Sequence, residues 1–485
     1  MRRITIDPIT RLEGHGRIEI FLNDSGNVER AFFQVPELRG FEKFSEGRLA
    51  EEMPRITPKI CGVCPTAHHM CSTKALDDLY KVKPTQTAEK IRRFMYNCFM
   101  FEDHMLHFYI LAGPDFIVGP DAPKAQRNVL GVIARVGLEI GGRLIDIRKK
   151  VRDMITYIGG RVIHPVCGLP GGVSKGIDEE KRQEFEKDSK DALEFAKFTI
   201  QAFNDIVLGN KTYVDLIVGD VYFHKTYYMG LVDENNKANF YDGMIRVVDP
   251  DGKEFAKFDV HDYIGHIGEH VEPWSYIKFP YLKKVGWKGF VDGKGSGIYR
   301  VAPLARLNVA DGMATPLAQA EYERMFETLG GKPAHNTLAY HWARIVEALF
   351  AAERMVELIS DRSITDPDIR NLPTSVPDEG IGVIEAPRGT LFHHYKTDER
   401  GRMKEANLIV ATVNNSAAIC MSIEKAAKGL IKDGRVDDAI LNMVEMAFRA
   451  YDPCLACATH AIGQTPLIVT LRDKNGEVIN ELRRN

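Results

Sequence analysis

The sequence predicts an α+β fold: a predominantly helical core of long helices, with β-hairpins at its periphery and one β-rich insertion. Three observations carry that expectation. Apolar residues recur at helical spacing through 84–112, 124–158 and 178–208, as in Phe94, Cys98, Phe101, Met105 and Phe108. The first 35 residues instead alternate apolar and polar side chains. From about 212 to 300 the texture changes to short β-like runs cut by turn signals.

Taken in order, Arg17 to Leu22 and Val28 to Val35 flank Asn23-Asp-Ser-Gly, so residues 1–35 read as a β-hairpin. Pro65 to about Tyr80 reads as a helix. The helix over 178–208 opens with Asp178-Glu-Glu-Lys-Arg-Gln-Glu, a solvated face rather than a binding feature. Asp249-Pro-Asp-Gly and Asp292-Gly-Lys-Gly-Ser-Gly mark turns within the insertion. The second misses the phosphate-loop spacing and lacks a strand-to-helix context. Helices resume at 315–330 and 335–362. A hairpin-like stretch follows from Ile381 to Thr412, turning at Asp398-Glu-Arg-Gly, and then helices at 415–431 and 436–450.

Composition excludes several classes of function. The chain has 485 residues, 44% apolar and 27% charged, as in a globular protein with a sizeable core. A net charge of −3 gives no sign of a nucleic-acid or anionic-membrane partner. No apolar run approaches the roughly 18 residues of a membrane span, and the N-terminus lacks the apolar region of a secretory signal. Eight cysteines in such a length are too sparse for a secreted disulfide scaffold. Cys71, Cys98, Cys167 and Cys420 lie among apolar neighbours and read as buried thiols. A cytoplasmic location fits best.

Two stretches near opposite ends of the chain carry the chemistry: Cys61-Gly-Val-Cys64-Pro-Thr-Ala-His68 and Asp452-Pro-Cys454-Leu-Ala-Cys457-Ala-Thr-His460. Together they offer four thiolates, a soft, sulfur-rich metal site. Pro65 after Cys64, and Pro453 after Asp452, each read as the first residue of a helix, whose N-terminus favours thiolate. Spacing alone leaves a structural zinc site or two redox pairs open.

With these motifs in place, the chain resembles the large, catalytic subunit of nickel–iron hydrogenases over essentially its whole length. The resemblance rests on an ordered set: Asp7-Pro-Ile-Thr-Arg-Leu-Glu-Gly-His15, Arg39-Gly-Phe-Glu42, Cys61 to His68, Glu102-Asp-His-Met-Leu-His-Phe-Tyr109, and Asp452 to His460. Gly159-Gly-Arg-Val-Ile-His-Pro165, Pro170-Gly-Gly-Val173 and Glu385-Ala-Pro-Arg-Gly389 are also similar to family blocks. Arg306-Leu-Asn-Val-Ala-Asp311, Tyr340-His-Trp-Ala-Arg344 and Leu391-Phe-His-His-Tyr395 look like the cytoplasmic, methyl-viologen-reducing branch. That branch does not reduce the deazaflavin coenzyme and is coupled to heterodisulfide reductase.

The resemblance implies a nickel held by Cys61, Cys64, Cys454 and Cys457, with Cys64 and Cys457 bridging to an iron that carries carbon monoxide and two cyanides. The implied reaction is reversible heterolytic cleavage of dihydrogen. Cys454 would accept the proton and Glu13 would relay it, its pKa raised by desolvation and like charge. An ordinary ion pair with Arg11 is the plain alternative for Glu13. Arg388 would stand over the open coordination position, oriented by Asp103 and Asp452, with Pro387 on the apolar side. Asp452 reads equally as a helix N-cap before Pro453. His68 would hydrogen-bond a cysteine sulfur. Glu42, nineteen positions before Cys61, would bind a magnesium or similar ion together with His460.

Lys59 stands where the family commonly has arginine, keeping the charge but losing the planar donor fork. Family precursors are trimmed by a maturation endopeptidase just after the last histidine. The expectation is therefore one elaborated domain over 1–460 (β region 1–60, helical core 61–211, insertion 212–300, helical core 301–460) and a propeptide over 461–485 that could form a hairpin. With four cysteines assigned, no iron–sulfur cluster is expected in this chain. Electrons would leave through an iron–sulfur small subunit, then through an adaptor to a heterodisulfide reductase complex. The alternatives are a dihydrogen sensor, a metal-free subunit of the kind found in complex I, and a zinc-stapled scaffold.

Overall fold

The computed structural model describes residues 2–38 and 40–458, and the backbone of 467–472 and 478–484. The N-terminal alternation gives a three-stranded antiparallel sheet of β1 (Arg2–Ile6), β2 (Arg17–Leu22) and β3 (Val28–Gln34). The expected hairpin is β2–β3, and β1 joins it at the edge with Ile4 opposite Ile20. Ile18, Ile20 and Leu22 are fully buried, so one face of this peripheral sheet packs on the core while Arg3, Glu29 and Arg30 stay exposed.

The centre is a set of long helices: α1 (Pro65–Leu79), α2 (Gln86–Leu106), α3 (Leu138–Gly159), α4 (Glu179–Phe203) and α5 (Tyr340–Ser360). α5 packs against both α2 and α4, and α2 also meets α3. The apolar stripe of α2 is buried as the periodicity predicts, with Phe94, Cys98, Phe101 and Met105 fully enclosed. Thr85 caps this helix by accepting from Ala88 N, and Asp178 caps α4 by accepting from Lys181 N.

Two stretches depart from uninterrupted helix. Past Leu106 the chain continues as π-helical turns, His107–Ala112 and Pro114–Val118. The stretch 124–158 breaks into Val129–Val136 and α3, with Gly137 between them at φ +89, outside the helical range.

The expected insertion holds β4 (Tyr227–Val232), β5 (Met244–Val248) and β6 (Glu254–Phe258), antiparallel in that order, with Tyr299–Arg300 parallel to β4. Lys294 of the glycine-rich turn pairs with Asp249 and Asp251, tying two surface loops together. The later hairpin is a three-stranded sheet of β7 (Glu379–Ala386), β8 (Gly389–Thr397) and β9 (Met403–Ile409). β7 lies so close to α1 that a Cβ on Gly382 would fall 2.1 Å from the Cys71 carbonyl oxygen. α6 (Ser416–Leu430) packs on β3 and on α7 (Asp438–Arg449). Leu467–Arg472 pairs antiparallel with Val478–Arg484, the hairpin expected after the second cysteine motif.

Cys71, Cys98, Cys167 and Cys420 are buried, and desolvation pushes each thiol up, Cys167 to about 12. No helix among the described residues is long and apolar enough to cross a membrane.

Candidate metal centre

The two cysteine motifs meet in the interior although 393 positions separate Cys61 from Cys454. Cys61 ends the tight turn Thr57–Ile60 in extended backbone, and Cys64 is the N-cap of α1 with Pro65 as its first residue. The Cys61 sulfur accepts from Val63 N at 3.2 Å and from Cys64 N at 3.4 Å. Cys454 is held from the opposite side: its N–H donates to Thr412 Oγ1 at 3.0 Å, and it bridges in parallel to Glu13.

The second motif departs from expectation. Its helix begins at Leu455, so Pro453 is not the first helical residue and Asp452 is not the cap. Asp452 takes φ +57, a left-handed conformation that Asp tolerates better than most residues. Its carboxylate is used instead by Arg388.

Cys61 and Cys454 sulfurs lie 3.1 Å apart, Cys64 and Cys457 3.4 Å, and Cys454 and Cys457 2.9 Å. All four sulfurs fall within 4.8 Å of one another and all are buried. Burial pushes the Cys454 and Cys457 thiols well up, whereas hydrogen bonds from Cys454, Cys457 and Cys64 pull Cys61 down. Such a pocket is poor for four free thiolates and good for a cation that takes them together. The donor set fits a thiophilic metal centre, and it is the one cluster of this kind among the described residues.

Glu13 touches this centre. Cys454 Sγ donates to Glu13 Oε2 at 3.0 Å, and the same oxygen accepts from Ala456 N at 3.0 Å. The approach is close enough that a Cβ on Gly14 would sit 2.8 Å from Ala456 N, so glycine at φ +87 is required there. The Glu13 carboxyl is half-buried, and desolvation followed by the charge of Cys61 pushes its pKa up. The alternative ion pair with Arg11 does not form. Arg11 turns the other way, to Asp115 Oδ1 at 2.5 Å, Asn442 Oδ1 at 2.9 Å and the Leu111 carbonyl at 3.0 Å.

Arg388 lies in the two-residue connection between β7 and β8, beside buried Pro387. Its Nη1 donates to Asp103 Oδ2 at 3.1 Å and its Nη2 meets Asp452 Oδ2 at 2.8 Å. Burial opposes its charge, but Asp103, Asp452 and then the Cys64 and Cys454 sulfurs hold its pKa well above the usual value. Desolvation raises both carboxyls, with Arg388 working against it. On the other side His68 Nε2 lies 3.6 Å from Cys457 Sγ.

The family model for nickel-dependent hydrogenases matches residues 39–134 and 143–460, and a HoxL-like model matches residues 3–38. The chain belongs to the nickel-dependent hydrogenase family. It is 49% identical, over 100% of both chains, to an F420-non-reducing hydrogenase iron-sulfur subunit of Archaeoglobus profundus. It is 41% identical to a vhc subunit of the F420-non-reducing hydrogenase of Methanococcus voltae, over 99% of this chain and 100% of that one. A crystal structure of an NAD+-reducing [NiFe]-hydrogenase in the H2-reduced state aligns with a TM-score of 0.89 at 37% identity, covering 95% of this chain and 100% of that one.

In this hydrogenase Glu42 Oε1 accepts from Leu408 N at 2.7 Å. Arg39 and His460 lie outside the described residues, so the pairing of Glu42 with His460 does too. Lys59 is exposed on the turn leading to Cys61.

Sequence reasoning gave no role to Arg306, yet it fixes the loop that carries Arg388. Its guanidinium reaches Glu347 at 2.5 and 2.6 Å, Glu385 at 2.8 Å and the Ala386 carbonyl at 2.8 Å, all fully enclosed. His104 closes the far side on Glu347 at 2.9 Å. The signal available was one arginine, Arg306, and two glutamates, Glu347 and Glu385, set among apolar neighbours in the sequence, because buried charges persist when paired.

Proposed function

We propose that this chain is the catalytic subunit of a hydrogenase that does not use the deazaflavin coenzyme. Cys61, Cys64, Cys454 and Cys457 would hold a nickel–iron pair, Cys64 and Cys457 bridging to an iron with carbon monoxide and two cyanide ligands. When bound, that pair supplies heterolytic cleavage of dihydrogen. The single observation that carries the reading is the enclosure of four thiols with a proton-accepting carboxyl on one side and a fixed guanidinium on the other.

The chain's own residues then divide the remaining work. The Cys454 sulfur holds a proton at the position where Glu13 Oε2 lies 3.0 Å away, within direct transfer distance. Glu13 is half-buried and passes the proton outward. Arg388 places a fixed positive charge beside the centre, and Asp103 with Asp452 hold its fork so that no reorganisation is needed. Pro387 fills the apolar side, and His68 orients the Cys457 sulfur.

The relatives are subunits of multisubunit hydrogenases, which supports, as electron partner, an iron–sulfur small subunit. Onward transfer through an adaptor to a heterodisulfide reductase complex, in the cytoplasm, completes the reading. Glu42 and His460 would hold a magnesium ion, and a maturation endopeptidase would cut after His460.

Nickel and iron content, with infrared spectra of the anaerobically purified complex, test this directly. Stoichiometric nickel and iron with carbon monoxide and cyanide bands are expected. Zinc without such bands, in protein matured in its native host, would refute it. Intact mass of active protein is expected to end at His460, and full-length active enzyme would overturn the trimming.

A further inference from the structure

The Leu391-Phe-His-His-Tyr395 stretch has no part in the mechanism above, yet it lies on β8 directly behind the centre. Strand alternation sends His393 and Tyr395 to one face and His394 to the other. His394 is spent structurally, between Tyr263 Oη at 3.0 Å and Glu379 Oε1 at 2.7 Å. The other face meets His68 and Ser72, which are one turn apart on α1. The result is a continuous chain: Cys457 Sγ to His68 Nε2 3.6 Å, His68 Nδ1 to His393 Nε2 3.2 Å, His393 Nδ1 to Tyr395 Oη 2.7 Å, and Tyr395 Oη to Ser72 Oγ 2.8 Å. All four residues behind the sulfur are at most 1% exposed.

From this geometry, and resting on the metal-centre reading above, we propose that His393 and Tyr395 are positioning residues that fix the ring and tautomer of His68, so that its Nε2–H is aimed at the Cys457 sulfur. Two polarities satisfy the chain with neutral rings. In one, which is the direction the thiol form of the structure takes at its far end, Tyr395 Oη donates to Ser72 Oγ, every hydrogen points toward Ser72, and a His68 Nε2 lone pair faces the sulfur. In the other, every hydrogen points toward Cys457: Ser72 donates to Tyr395, Tyr395 to His393 Nδ1, His393 Nε2 to His68 Nδ1, and His68 Nε2 to sulfur. A ligating thiolate accepts and cannot donate, so it selects the second polarity. Neither ring changes charge. Reaching it from the Tyr395-to-Ser72 direction requires only that the two hydroxyls rotate and the two imidazoles exchange tautomer.

The test is infrared spectroscopy of the purified complex, with metal content measured on the same samples. A hydrogen bond to a bridging thiolate draws electron density off the iron. Its loss in His393→Leu or Tyr395→Phe is therefore expected to move the carbon monoxide band to lower wavenumber and to reduce turnover about 10- to 100-fold. His393→Gln keeps an N–H donor near the Nε2 position and is expected to restore the band toward wild type. Should His393→Leu fail to fold, Tyr395→Phe and His393→Gln still decide the matter. Unshifted bands in metal-replete Tyr395→Phe and His393→Leu would overturn the proposal while leaving the metal centre intact. Absence of the bands in wild type would instead overturn the metal-centre reading itself.

Discussion

Replacing Arg388 by lysine separates charge from geometry at the centre. Arginine pairs with two buried carboxylates through two different nitrogens, Nη1 on Asp103 at 3.1 Å and Nη2 on Asp452 at 2.8 Å. A single lysine ammonium on a shorter reach keeps one of these and abandons the other. A hydrogen bond to a charged group contributes about 1.5–3 kcal/mol. If that loss is felt at the transition state, turnover falls roughly 10- to 150-fold. The stability penalty should be smaller than for an isolated buried charge. Desolvation already raises both carboxyls, so the abandoned one takes up a proton. Dihydrogen uptake with a viologen dye measures the rate, and nickel, iron and infrared bands on the same preparation show that the centre is loaded. Turnover within twofold of wild type in fully loaded Arg388→Lys would mean that a nearby positive charge suffices and the fork is irrelevant.

Glu13→Gln keeps an oxygen for Ala456 N but cannot take a proton from Cys454. Turnover and hydrogen–deuterium exchange should drop by roughly 10²–10⁴ with the infrared bands in place, and undiminished exchange would remove Glu13 from the relay. Asp115 holds Arg11 at 2.5 Å and Arg449 at 2.7 Å in the interior, so Asp115→Asn should cost about 3–5 kcal/mol. A melting temperature unchanged within a degree would show that the two arginines find other partners. His335 is kept neutral by burial and by Arg300, which lower its pKa from 6.5 to about 4. The unfolded chain binds this proton first, so stability is full above about pH 6.5 and is lost as pH falls toward 4. The loss is about 3 kcal/mol for this residue. His335→Asn should flatten the dependence of melting temperature on pH in that window, and an unaltered slope would contradict the assignment.

The parts of this fold that were legible in the sequence are those set by local periodicity. The stripe of Phe94, Cys98, Phe101 and Met105 names one face of α2 without knowledge of its partner, because burial of that face drives the helix into place. Pro65 likewise fixes the start of α1, since the missing N–H falls where no intrahelical acceptor exists. The same rule failed at Pro453, and the reason is tertiary. Asp452 is pulled into a left-handed conformation by Arg388, and Cys454 is pinned by Glu13 and Thr412, so the helix cannot begin until Leu455. The Glu13–Arg11 pair, the plain alternative to the relay, is absent for a related reason. Two residues from Glu13 in sequence, Arg11 stands at φ +60 and turns toward buried Asp115, a partner no local pattern reveals.

The metal centre was legible only because its ligands are cysteines, whose spacing survives in the sequence. Its supports are ordinary residue types drawn from distant elements. Arg306 joins α5 to the Arg388 loop through Glu347 and Glu385, and His393 backs His68 across 325 positions. Neither pairing has a period or a motif. What marks them is energetic: enclosing a guanidinium or imidazole is costly unless it is paired, so each such residue points to a partner elsewhere in the chain. That constraint makes Arg306, His393 and Tyr395 parts of the centre's construction rather than packing. It also implies that transplanting the two cysteine motifs into another helical core would reproduce a thiol cluster but not the oriented environment around it.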